Sequence, residues 1–87
     1  MKKINIELRL FITLKQYLPE GSSEGRAVMS FDYGSTIGDI ISILNIPVDQ
    51  QKLILINGVS QGISDEINTR VLNDGDIVSM FPPVGGG

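Results

Sequence analysis

The sequence predicts an α+β fold in which a mixed sheet of four to five strands carries one main helix across one face. Three observations predict it. Ile4, Ile6, Leu8 and Leu10 alternate strictly with Lys3, Asn5, Glu7 and Arg9 near the N-terminus, the period of a strand with one wet face. Ile37, Ile40, Ile41 and Leu44 recur at i, i+3, i+4 and i+7 in the middle, the stripe of an amphipathic helix. Leu53-Ile54-Leu55-Ile56 and Ile77 to Phe81 are short apolar runs bounded by turn residues, as expected of covered strands.

Each element has local support. Phe11 to Leu18 has spacing compatible with a short helix or turn, closed by the loop from Pro19 to Gly25. Ala27, Met29 and Phe31 alternate with Val28, Ser30 and Asp32, which predicts a second strand paired as a hairpin with the first. Thr36 is a good helix N-cap and Asp39 stands at N3, close to a capping box and favourable to the helix dipole. Pro47 disfavours helical geometry at Ile46 and is expected to end the helix. Gly38 in the first turn costs up to ~1 kcal/mol of helix propensity, so this helix depends on packing. Asn57-Gly58 suits a type I′ turn. Gln61 to Thr69 reads as irregular with Ile63 and Ile67 as its apolar anchors, and Asn73-Asp74-Gly75-Asp76 reads as a turn. Pro82 and Pro83 end the last strand because neither can donate a ladder hydrogen bond.

The order β-β-α-β-turn-β places the first and last strands side by side in the sheet centre. That is a β-grasp arrangement. At 87 residues the chain makes one domain: residues 1–81 as a single β-grasp domain and 82–87 as a flexible C-terminal tail.

Composition excludes much chemistry. The chain has no Cys and no His, so thiolate catalysis, cysteine-held zinc or iron–sulfur centres and the usual general base are absent. Ten acids against seven bases, net −3, argue against a nucleic-acid partner. No apolar run spans a membrane, which leads to an expected cytoplasmic location. Asp74 and Asp76 lack the further ligands of a calcium loop and read as turn formers, and Asp65-Glu66 reads as solvated.

The informative segment is the last one. Ile77 to Gly87 carries no ionisable side chain, so burying it in a groove costs no charge desolvation. Pro82-Pro83 stiffens the exit. Gly85-Gly86-Gly87 has no Cβ and can thread a slot too narrow for other residues. The tail reads as a chemical handle ending in the Gly87 carboxylate, or else as a loose terminus. By the period of two, Ile77, Ser79 and Phe81 face away from the core. Phe81 then belongs to a docking patch with Ile77, or folds back over the sheet edge.

Leu72-Asn73-Asp74-Gly75-Asp76-Ile77-Val78 followed by Phe81-Pro82-Pro83-Val84-Gly85-Gly86-Gly87 resembles the C-terminal signature of the ubiquitin-like sulfur carriers, above all the molybdopterin synthase small subunit. Leu55-Ile56-Asn57-Gly58, Leu10-Phe11 with Leu14-Lys15, and Thr36 to Ile41 match that pattern as well. Gly85 stands where the family often has Ala. The thiamine-pathway carriers are typically shorter and lack the double proline. The resemblance implies a non-catalytic carrier, the small subunit of a molybdopterin synthase when bound to a large catalytic subunit. Its Gly87 would be adenylated by a ubiquitin-activating-type adenylyltransferase and converted to a thiocarboxylate. Gly85 and Gly86 would line the partner's channel, and Ile77, Phe81, Pro82, Pro83 and Val84 would bind the partner. No cofactor is expected on the chain itself, ATP being used by the activating enzyme. The resemblance leaves open a protein modifier conjugated through Gly87, a carrier serving thiamine or another sulfur-containing metabolite, and a plain interaction domain.

Overall fold

The computed structural model describes residues 2–47, 53–61 and 65–82. Strands β1 (Lys3–Leu10), β2 (Arg26–Asp32), β3 (Leu53–Ile56), β4 (Val59–Ser60) and β5 (Ile77–Phe81) form one sheet in the order β2-β1-β5-β3-β4. β1 and β5 pair in parallel at its centre, and the remaining neighbours are antiparallel. Helix α1 (Ile37–Ile43) and two 3-10 helices, Ile12–Tyr17 and Asp65–Thr69, complete the described elements. This is the expected β-grasp arrangement, with β4 as the fifth strand. Among the described residues no helix is long and apolar enough to cross a membrane.

The alternation in β1 does what its period implies. Ile4, Ile6, Leu8 and Leu10 are buried in one core with Ile37, Ile40 and Ile41 of α1, while Lys3 and Asn5 are exposed, and each fully buried aliphatic contributes about 1.5–3 kcal/mol. β2 returns along β1 with Lys3 opposite Asp32 and Arg9 opposite Arg26. The approach to β2 is reversed at Glu24-Gly25, both at positive φ (54° and 76°), and Ser23 bridges Arg26 across that turn.

Helix α1 starts with the full capping box. Thr36 N–H donates to Asp39 Oδ2 at 2.9 Å, and Asp39 N–H donates to Thr36 Oγ1 at 3.3 Å. The reciprocal pair satisfies two of the orphan donors at the helix start. Its end differs from the expectation. The helix stops before Pro47 acts, because Asn45 takes the left-handed conformation (φ 60°). Ile46 N–H then donates to Ile41 C=O and Asn45 N–H to Ser42 C=O, the bond pair of a Schellman stop. Ile46 is buried on the same core as Ile41, which is the apolar contact that accompanies such a stop.

Gly38 also has a positive reason. A Cβ there would lie 2.9 Å from the Asn68 carbonyl oxygen, so glycine lets the second 3-10 helix approach α1. That helix occupies part of the stretch read as irregular, and it buries Ile67 in the core. Ile63 lies outside the described residues. Ile37 N–H donates to Arg70 C=O and Leu72 N–H to Ser35 C=O, tying this segment to the helix start.

Candidate functional site

The site is the outward face of β5 and the point where the chain leaves it. β5 is held from both sides in the centre of the sheet. Glu7 lies opposite Ile77 and Arg9 opposite Ser79 on β1, while Leu55 lies opposite Ser79 and Leu53 opposite Phe81 on β3. Directly opposed residues share a face. Ile77, Ser79 and Phe81 therefore share the outer face with Leu53 and Leu55, as the alternation predicts. Val78 and Met80 are fully buried on the other face. Ile77, Leu55 and Phe81 are half-buried, and Leu53 is exposed. The result is an apolar strip along β5 and β3, bordered by the Glu7–Arg9 ion pair on β1.

Phe81 neither stands free nor folds over the edge. Its ring stacks on Phe11, with centroids 4.2 Å apart and planes 6° from parallel. The parallel register accounts for this. Leu10 is opposite Met80, so the next residues of both strands, Phe11 and Phe81, emerge side by side. Phe11 is fixed by its N–H donating to Met80 C=O at 3.2 Å, and its own C=O accepts from Leu14 N–H at the start of the first 3-10 helix. The turn between them passes through Ile12 at φ 56°, a conformation that costs a β-branched residue on the order of 1–3 kcal/mol. Phe11 lies outside the partner-binding set that the resemblance implies. The signal was present, since Leu-Phe and Met-Phe end two strands that pair in parallel.

The base of β5 is fastened by polar contacts. Asp76 is 7% exposed and accepts from Asn57 Nδ2 at 3.0 Å and from Asn73 N–H at 2.9 Å. Asn57 also accepts from Ile77 N–H at 2.9 Å and donates its own N–H to Ile77 C=O at 2.8 Å. Asp74 accepts from Asn5 N–H at 2.8 Å. The two aspartates thus serve the turn, as expected, and go further. They lock the Asn73–Asp76 turn to β1 and to the β3–β4 hairpin. With these donors already engaged, their carboxylates are structural groups.

Pro82 follows Phe81 and is half-buried. Pro83, Val84, Gly85, Gly86 and Gly87 lie outside the described residues, and so does most of the expected tail.

A family model described as Mut7-C ubiquitin matches residues 3–85, nearly the whole chain. The chain belongs to the Mut7-C ubiquitin family. This Mut7-C ubiquitin chain is similar to the HVO 2177 protein of Haloferax volcanii, at 27% identity and a TM-score of 0.72 over 98% of this chain and 88% of the other. It also resembles small archaeal modifier protein 1 from Methanosarcina acetivorans, at 21% identity and a TM-score of 0.67 over 100% of both chains. A third similar structure, from Pyrococcus furiosus, is described as molybdopterin converting factor, subunit 1 (21% identity, TM-score 0.67, 93% of this chain and 99% of that one). At these identities the last two establish a shared fold. No curated protein matches the sequence. The Mut7-C ubiquitin chain therefore shares its ubiquitin-like fold with these proteins.

Proposed function

We propose that this chain is a sulfur carrier whose Gly87 carboxylate is adenylated and then converted to a thiocarboxylate, for delivery of sulfur in molybdopterin assembly. The observation that supports it best is the exit of β5. A ubiquitin-like central strand, anchored at Phe81 by Phe11, leads into Pro82-Pro83-Val84-Gly85-Gly86-Gly87. A carboxylate is a poor electrophile. Attack of its oxygen on the α-phosphate of ATP, with pyrophosphate leaving, gives an acyl adenylate. A sulfide equivalent then adds to the acyl carbon, AMP leaves, and one oxygen has been exchanged for sulfur.

The catalytic groups for these steps belong to partners: a ubiquitin-activating-type adenylyltransferase first, then a molybdopterin synthase large subunit. The second partner is suggested by the likeness to the protein described as molybdopterin converting factor, subunit 1. Gly85 and Gly86 would give clearance in the partner's channel. Val84, Pro83 and Pro82, with the strip of Phe81, Ile77, Leu55 and Leu53, would dock. Such a strip of partly buried apolar side chains on one sheet face suits a partner interface.

Reconstitution tests the proposal. The chain, an active cognate adenylyltransferase, ATP and a sulfur source are incubated and the intact mass is measured. Exchange of one oxygen for sulfur supports the carrier, and an unchanged mass with an active enzyme contradicts it. The likeness to a small archaeal modifier favours one second reading, conjugation of Gly87 to lysine amines. The branched remnant that cleavage after Arg70 leaves on acceptor lysines, the segment from Val71 to Gly87, would select it when found on cellular proteins.

A further inference from the structure

Strand β2 is one edge of the sheet, and its pairing with β1 fixes which main-chain groups it leaves outward. Leu10 N–H donates to Gly25 C=O, and Tyr33 N–H donates to Lys2 C=O. Antiparallel ladders alternate. The main-chain groups of Ala27, Met29 and Phe31 therefore turn toward β1, and those of Arg26, Val28, Ser30 and Asp32 turn to the open edge. Arg26 is already occupied, since its N–H and C=O both bond Ser23. Asp32 C=O accepts from Ser35 N–H but retains a second lone pair. Among the described residues, the open edge thus runs from Val28 to Asp32.

We propose that this edge pairs antiparallel with the same edge of a second copy, with Ser30 on the two-fold axis. The register follows from what flanks the edge. Centring on Met29 or Val28 would drive the second copy's strand into Ser23, which sits beside Arg26. Centring on Phe31 would lose the pairing of Val28, whose opposite residue would be Gly34 in the turn. Centring on Ser30 sets Val28 opposite Asp32 of the second copy and Ser30 opposite Ser30 of the second copy. Each such pair exchanges two main-chain hydrogen bonds.

The side chains suit this register on both faces. On the outer face, Arg26 lies diagonal to Asp32 of the second copy, within reach of its long side chain. The strand carries a cation near one end and an anion at the other, so it is self-complementary under a two-fold axis. Among the described residues Arg26 has no ion pair, while Asp32 is shared with Lys3 at 2.6 Å. On the helix side, Met29 comes opposite Phe31 of the second copy. A groove of about 420 Å³ between β2 and α1, lined by Phe31, Ser42 and Ile43 among others, runs under this seam. Ile43 is 56% exposed and Val28 72% exposed, and the pairing covers both. The face of β5 and its exit remain open, so a carrier could dock its partner as a dimer.

Sedimentation equilibrium on the full chain, from micromolar to millimolar concentration, tests the proposal together with amide hydrogen exchange. The expected result is a weak dimer, in keeping with a small interface, with concentration-dependent protection of the Val28, Ser30 and Asp32 amides. Ser30→Pro should abolish it without unfolding, because the N–H it removes faces away from β1. Arg26→Asp should weaken it about tenfold, and adding Asp32→Arg should restore it. A chain that stays monomeric at millimolar concentration would overturn the proposal. So would a dimer indifferent to Ser30→Pro, or protection of this edge only on adding an unrelated extended peptide.

Discussion

The Phe11 ring lies flat on the Phe81 ring, 4.2 Å between centroids and 6° from parallel, and this pair joins the end of β1 to the end of β5. Both residues are half-buried. The stack works with the Phe11 N–H to Met80 C=O bond to hold the last residue of the strand from which the tail departs.

Replacing Phe11 by Ala should therefore lower stability by about 1–3 kcal/mol, from lost burial plus the aromatic pair. Chemical denaturation measures this. The same variant, still folded, should accept sulfur more slowly at a given adenylyltransferase concentration, because the exit of β5 is no longer held. Unchanged stability would show that the stack contributes little. Unchanged loading would separate the stack from function.

Asp76 is the described chain's buried charged residue. Asp76→Ala takes the acceptor from Asn57 Nδ2 and Asn73 N–H; both asparagines are exposed, so water replaces part of the loss and the cost should be about 1–2 kcal/mol. Asn57→Ala removes the donor to Asp76, the acceptor for Ile77 N–H and a residue suited to positive φ. The two substitutions share a network, so a double-mutant cycle should show a coupling of about 0.5–3 kcal/mol. Additive losses would contradict the network.

Gly38→Ala sets two effects against each other. Alanine is favoured over glycine inside a helix by about 1 kcal/mol. At this position, however, its Cβ would meet the Asn68 carbonyl oxygen at 2.9 Å. Contact with main chain cannot be relieved by a rotamer change, so net destabilisation of about 1–2 kcal/mol is expected. Thermal unfolding checks it, and a gain in Tm would show that the second 3-10 helix yields easily.

These cases also show what the sequence made legible. Local signals carried the alternation of β1, the Thr36–Asp39 capping box and the Asn57-Gly58 turn, where φ is 53° and 84°. Each depends on residues close together in the chain. Most of what the sequence leaves unread depends on distant pairs. The end of α1 is a local exception: Asn45, a residue suited to positive φ, makes the stop two residues before Pro47. Gly38 looked like a local cost until Asn68 came against it from thirty positions away. Phe11 gained its meaning only through the parallel register of β1 and β5. At the site, the orientation of Ile77 and Phe81 was legible from the period of two, whereas the ring stack and the locking of Asp76 to Asn57 were not.

The proposed sulfur chemistry acts on one group, the Gly87 carboxylate, and deletion of Gly87 removes that group. The intact chain and the chain lacking Gly87 are compared by intact mass after incubation with the adenylyltransferase, ATP and a sulfur source, with folding monitored by circular dichroism. The account predicts that the intact chain exchanges one oxygen for sulfur while the shortened chain, equally folded, does not. Equal sulfur incorporation by both chains would contradict it.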